Sequence, residues 1–185
     1  SLLLVASDLE VEVSTSISHE TEDKVDTTLP ARKLLDILKS LPGSDLVKIE
    51  VNETKAVIKS GKSKFTLATL PGPEFPYKEE INEFKFTVSA SDLDGLIGQT
   101  GFSMATQDAR HFLNGMFLEV SKNKLTVVAT DGHRLSMSSA ETKNPTDEPV
   151  SCIIPRKCIT EIKRILTTFK DNKENIVEFM VTDRE

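Results

Sequence analysis

At 185 residues, with 38% hydrophobic and 28% charged side chains, the chain has the composition of a globular protein, and its length allows two domains. No apolar run approaches the roughly 18 residues that cross a bilayer as a helix, and no signal peptide is visible. A net charge of −6 excludes a uniformly basic nucleic-acid binder and leaves only a local basic surface for such a role.

Leu2 to Val13 alternates apolar and polar residues at its end (Leu9, Val11, Val13 against Glu10, Glu12) and is expected to be one strand. Ser18 to Thr27 is an acidic loop. Pro30 suits the first turn of a helix, where its missing N–H is not needed. Leu34, Ile37, Leu38 and Leu41 then form a stripe expected to be buried, and Pro42-Gly43 ends the helix. Three short strands follow, Leu46 to Val51, Ala56 to Lys59 and Lys64 to Leu70, joined by the hairpin-like turns NETK and SGKS. PGPEFPYKEE carries three prolines, should not continue a sheet, and reads as a domain junction. The expected domains are therefore 1–82 and 83–185.

The second half starts with a strand, Phe84 to Val88. Ser89 with Asp92, or Ser91 with Asp94, offers a capping box for a helix running to about Gln99. Gly101 to Arg110 reads as a polar loop. Met116 to Val120 and Leu125 to Thr130 form a hairpin around SKNK, and Arg134 to Ser138 follows a bend at Asp131-Gly132. After a loop, Glu141 to Glu148, comes a second proline-started helix with Ile159, Ile162, Leu166 and Phe169 facing inward. Each domain is thus expected to be α+β, with antiparallel strands and helices on one side.

The two proline-started helices are copies. LPARKLLDILKSL (29–41) aligns without a gap on IPRKCITEIKRIL (154–166), an offset of 125 residues, with Pro30/Pro155, Ile37/Ile162 and Leu41/Leu166 identical. Upstream, LLLVASDL (2–9) matches LTVVATDG (125–132), and downstream LVKIEV (46–51) matches IVEFMV (176–181). Three elements in the same order indicate a duplicated domain. Phe84 to Lys124 has no counterpart before Ser1, and Lys55 to Asn82 has none after Glu185. The repeat therefore leads to the expectation of a fragment lacking about 40 residues at the start of copy one, and the end of copy two.

Several patterns suggest chemistry. Gly61-Lys62-Ser63 resembles the end of a phosphate loop, but the required earlier glycine is Ala56 and a strand follows, so a hairpin turn is expected. Asp131, His133 and Ser136 are triad residue types without a separate base–orienter pair. Cys152 and Cys158 lack metal spacing, and His19 and His111 sit in unrelated loops. No catalytic residue, metal or cofactor is expected, and the thiols read as reduced and cytoplasmic. The bend His133-Arg134-Leu135 can instead serve as a recognition surface. Arg32 and Lys39, seven apart, share a helix face, as do Lys157 and Arg164, with Arg156, Lys163 and Lys170 as a further row. Such faces suit a polyanion, since phosphate contacts supply sequence-independent affinity. In TQDARHF, Gln107, Arg110, His111 and Phe112 combine polar and aromatic groups suited to sugar, phosphate or base contact.

TLPARKLLDILKSLP, FSMATQDARHFLNGMFLE, LTVVATDGHRLSMSS and IPRK together resemble the bacterial sliding clamp family, the beta subunit of DNA polymerase III, over essentially the whole chain. The resemblance implies three similar domains per full chain, two chains closing head-to-tail into a ring, helices lining the hole and sheets outside. It implies a non-catalytic processivity factor of the bacterial cytoplasm, at replication forks. Double-stranded DNA would be contacted by Arg32, Gln107, His111, Phe112 and Lys157. The family commonly carries an aromatic pair where His111 and Phe112 stand, so His111 departs from it while keeping a flat ring. The polymerase catalytic subunit, the clamp loader, other polymerases and repair proteins would dock short peptides in a pocket whose share here is Leu113, Thr130, Gly132, His133, Arg134 and Leu135. The rival expectations are a duplicated α+β peptide-docking adaptor that never encircles DNA, and a nucleic-acid hydrolase using Asp108 or Asp131.

Overall fold

A computed structural model describes residues 1–19, 24–43, 46–52, 54–76, 84–142, 148–168 and 175–181. The chain divides into two units, Ser1–Glu79 and Glu80–Glu185. Both are α+β with antiparallel pairing throughout the described strands.

The first unit opens with a hairpin where one strand was expected. β1 (Leu2–Ser7) and β2 (Glu12–Ile17) pair antiparallel, Leu2 opposite Ile17 and Ser7 opposite Glu12. Asp8 makes the turn: its Oδ1 accepts the N–H groups of Glu10 and Val11 at 3.2 and 3.0 Å, and its own N–H donates to the Val11 carbonyl. An aspartate that bonds backbone two and three residues on is a turn former, which overrides the alternation around it. Leu9 consequently sits at φ 75, 70% exposed.

β3 (Thr27–Thr28) precedes α1 (Ala31–Ser40), with Pro30 at the cap position and its carbonyl accepting the Leu34 N–H. The expected buried stripe is only half realised. Leu34, Ile37 and Leu41 are partly covered, while Leu35 and Leu38 are exposed and no residue of the helix is fully buried. β4 (Lys48–Val51), β5 (Lys55–Ser60) and β6 (Ser63–Ala68) form a meander whose Ala56, Ile58 and Leu67 make a small core. Gly61, at φ 54, turns β5 into β6 with Ser60 opposite Ser63, so Gly61-Lys62-Ser63 is a hairpin. β7 (Leu70–Pro71) pairs with β3, which brings Pro71 of the expected junction into a short ladder. The Gly72–Glu74 3-10 turn follows it. The rest of the junction, from Tyr77, lies outside the described residues.

The second unit has β8 (Phe84–Ser89), α2 (Ala90–Thr100), β9 (Gly115–Ser121), β10 (Lys124–Thr130), β11 (Leu135–Glu141), β12 (Val150–Pro155), α3 (Arg156–Thr168) and β13 (Ile176–Val181). One sheet runs β11-β10-β9-β12 and another pairs β13 with β8. Ser89 caps α2 by accepting the Asp92 N–H at 3.0 Å, and its hydroxyl donates to the Asp92 carboxylate, a side-chain pairing in place of the backbone bond that would complete the expected capping box. Alternate residues of β9 and β10 (Met116, Leu118, Val120; Leu125, Val127, Ala129) meet Leu93, Leu96 and Ile97 of α2 and Ile159 and Leu166 of α3. Phe86 and Phe179, opposite each other in the second sheet, stack at 4.8 Å between centroids. Ile162 is partly buried, and Phe169 and Lys170 lie outside the described residues. The expected polar loop after α2 is in part interior: Ser103, Met104 and Ala105 are all buried behind a 3-10 turn at Gly101–Ser103.

Candidate DNA- and partner-contact site

The loop between α2 and β9 is held at both ends. The Ala105 N–H donates to the Leu113 carbonyl at 3.0 Å and closes the loop. Inside it, the Asn114 side chain takes the Asp108 N–H on Oδ1 (2.9 Å) and gives Nδ2–H to the Asp108 carbonyl (2.8 Å). Asp108 in turn accepts the Arg110 backbone N–H, Nε and Nη2, all within 3.0 Å. The Arg110 hydrogen bonds hold the Asp108 carboxyl well down, at about 2, while the same pair raises the Arg110 guanidinium above its usual value. Between these staples Gln107 adopts φ 57, a left-handed backbone uncommon for a residue with a Cβ. Gln107, His111 and Phe112 all emerge exposed, Phe112 by 61%. Leu113 turns inward and is buried, so the peptide-pocket residue expected there offers at most its edge.

The bend between β10 and β11 is closed just as locally. Asp131 Oδ1 accepts the N–H groups of His133 and Arg134, both at 3.0 Å, and Oδ2 accepts Arg134 Nε at 2.9 Å. These donors hold the Asp131 carboxyl at about 2, the two backbone bonds contributing most. Thr130 Oγ1 donates to the Arg134 carbonyl and accepts the Gly132 N–H. Gly132 sits at φ 87, where a side chain is strained. His133, Arg134 and Leu135 stay exposed, and Ser136 bonds Ser103 Oγ at 2.7 Å. Asp131 is thus fully engaged by backbone and Arg134, and Ser136 faces a serine. The triad types form no triad. Among the described residues no group of three or more His, Cys, Asp or Glu could hold a metal.

Loop and bend meet. A Cβ on Gly132 would lie 3.0 Å from Arg110 Nη2 and 3.4 Å from Nη1. Arg134 Nη2 donates to the Phe102 carbonyl at 2.8 Å, with the guanidinium 5.6 Å over the Phe102 ring. Contacts of Arg110 at Gly132 and of Phe102 with Arg134 thus join the loop that carries Gln107, His111, Phe112 and Leu113 to the bend that carries Thr130, Gly132, His133, Arg134 and Leu135. Arg32 lies on α1 of the first unit, exposed and, among the described residues, without an ion-pair partner. Lys157 is exposed on the first turn of α3.

The basic rows are less uniform than their spacing implies. Arg164 pairs with Glu161 at 3.1 Å. Arg156 is half-buried and donates Nη1 to the carbonyls of Met104 (2.9 Å) and Ala105 (3.4 Å), so it belongs to the loop's support. Sequence reasoning missed Asn114 and Phe102, and it named Asp108 only as a candidate hydrolase carboxylate, whereas the structure makes it the loop's staple. Arg156 left a trace, as the position where the second helix copy differs in kind from Ala31.

An antiparallel α+β unit repeated within one chain, with an exposed polar–aromatic loop, has the build of a DNA-clamp domain. Residues 1–79 match the family model described as "DNA polymerase III beta subunit, N-terminal domain", and residues 87–184 match the corresponding central domain. The beta sliding clamp of Pseudomonas aeruginosa is 46% identical over 178 residues, 95% of this chain and 48% of that protein. The crystal structure of the DNA polymerase III subunit beta from the same organism aligns at a TM-score of 0.88 and 43% identity, covering 97% of this chain and 48% of that one. A P. aeruginosa sliding clamp bound to griselimycin aligns at 0.85 and 43%, with the same coverage. The chain belongs to the DNA polymerase III beta subunit family, and it spans about half the length of these relatives.

Proposed function

We propose that this chain is the N-terminal and central portion of a sliding clamp that encircles duplex DNA and tethers a replicative polymerase. The observation that carries the reading is the match of both units to consecutive beta-subunit domains. Beside it stands a rigid loop presenting Gln107, His111 and Phe112 to solvent. Arg32 and Lys157 add phosphate contacts, and the bend at Gly132 to Leu135 with the rim of Leu113 and Thr130 forms one wall of a peptide pocket. The partners are the polymerase III catalytic subunit, the clamp loader and other polymerases and repair proteins. The assembly is a homodimeric ring of full-length chains, at replication forks in the bacterial cytoplasm.

No reaction is required of such a protein. Topological retention lets each phosphate contact stay weak, and docking a polymerase raises its effective concentration at the primer end. An acidic body with a few basic positions attracts DNA along those positions and not elsewhere. The test is made with a protein of the relatives' full length that carries this segment. It is loaded onto nicked circular plasmid with its loader, isolated, and followed as the DNA is linearised. Retention on circles and rapid loss from linear DNA is expected; equal retention on both would replace the ring with ordinary contact binding.

A further inference from the structure

We infer that Arg156 is a positioning residue: from the start of α3 it fixes the 104–114 loop, and through that loop it sets both the exposed Gln107–Phe112 surface and the Gly132 bend. As to function, this rests on the clamp reading above.

The helices α1 and α3 are copies, and their prolines fix the alignment, so Arg156 stands where the first copy has Ala31. A helix start of this kind does not need arginine. In the second unit this position meets the 104–114 loop. Arg156 is half-buried and reaches back about fifty residues in sequence to the Met104 and Ala105 carbonyls, the two residues at which the loop leaves the core. Its backbone N–H donates to the Asn114 carbonyl at 2.9 Å, gripping the loop's other end. Gly115 keeps that end tight, because a Cβ there would come within 2.7 Å of the Ile154 carbonyl.

From this anchor an unbroken series of contacts leads outward. Asn114 brackets Asp108 through both its amide atoms, Asp108 chelates Arg110, and the Arg110 guanidinium rests on Gly132. The strained backbone of Gln107 lies inside this bracket, and such conformations persist only where neighbours over-determine them. A charged donor on two main-chain carbonyls is among the stronger hydrogen bonds a protein makes. Arg156 therefore acts on the contact surface through the loop it holds.

The test separates the loop from the ligands. On the 185-residue chain, amide exchange is measured for Arg156→Met and Arg156→Lys. In Arg156→Met the amides of Ala105, Asp108 and Leu113 should exchange about tenfold faster, with the β9–β10 ladder unchanged. Arg156→Lys, which keeps one donor, should recover part of the protection. In the full-length protein, Arg156→Met should then weaken both duplex DNA and a clamp-binding peptide by similar factors. Asp108→Asn, cutting only the Arg110 arm, should weaken the peptide more than the DNA. Unchanged exchange in Arg156→Met overturns the proposal whatever binding does. Faster exchange with both affinities intact overturns the positioning role, provided Gln107→Ala does weaken DNA. Faster exchange in a protein whose wild type binds neither ligand supports the anchor and overturns the clamp reading instead.

Discussion

Asp8 and Asp131, 123 residues apart, make the same turn atom for atom. Each uses Oδ1 to accept the N–H groups of the residues two and three ahead, and each donates its own N–H to the carbonyl three ahead. The residue after each is left-handed, Leu9 at φ 75 and Gly132 at φ 87. The duplication read from apolar patterns extends to hydrogen bonds.

Because Asp131 is held at about 2 by donors present only in the folded bend, its carboxylate favours the folded form at all pH above its ordinary value near 4. That contribution is lost as pH falls from about 4 through about 2. The His133 and Arg134 amide resonances should stay put down to pH 4 and move below it, with a midpoint near 2. A midpoint near 4 would mean that the bend does not hold the carboxylate.

The left-handed positions predict opposite responses. Leu9→Gly removes a backbone strain of about 1 kcal/mol while giving up little packing, so stability should hold or rise by up to that amount. Gly132→Leu should lose about 1–2 kcal/mol from the same strain, and it also presses on Arg110. Urea denaturation of the two variants decides.

The duplicated strands predict unequal cores. Leu125 is fully buried and its counterpart Leu2 is 43% exposed. Leu125→Ala should cost about 2–5 kcal/mol, Leu2→Ala about 1 kcal/mol or less. Equal losses would mean that β1 is covered as β10 is.

On the proposed function, Arg32→Ala should weaken duplex binding by a similar factor for any sequence and flatten the log–log salt dependence by about 0.9. Gln107→Ala should weaken binding with the slope unchanged, as an uncharged contact does. Fluorescence anisotropy of labelled duplex at several salt concentrations gives both numbers.

Much of the local order was legible in the residues. Pro30 and Pro155 announced the helices, Ser89 with Asp92 announced a cap, and Gly61 announced a hairpin, because each acts on its own backbone. Leu2 to Val13 misled because alternation was counted through Asp8, whose side chain breaks the strand; the parallel with Asp131 was the available signal. The α1 stripe misled because burial depends on what lies across from a helix, and periodicity is silent about that. At the site, the exposed residues were readable as loop chemistry, whereas Asn114 and Arg156 act through contacts between distant segments that no local pattern records.

The duplication also gives this chain an internal ancestor to compare with. Both copies inherited the turn aspartate, which points to a demand of the architecture that neither could abandon. The second copy opens its helix on Arg156, bonded to its exposed loop, where the first copy has Ala31. Divergence between twins under one roof thus marks where a task has been added to what the shape requires, and Arg156→Ala, which restores the first copy's residue, would show how much of the loop's order rests on that one difference.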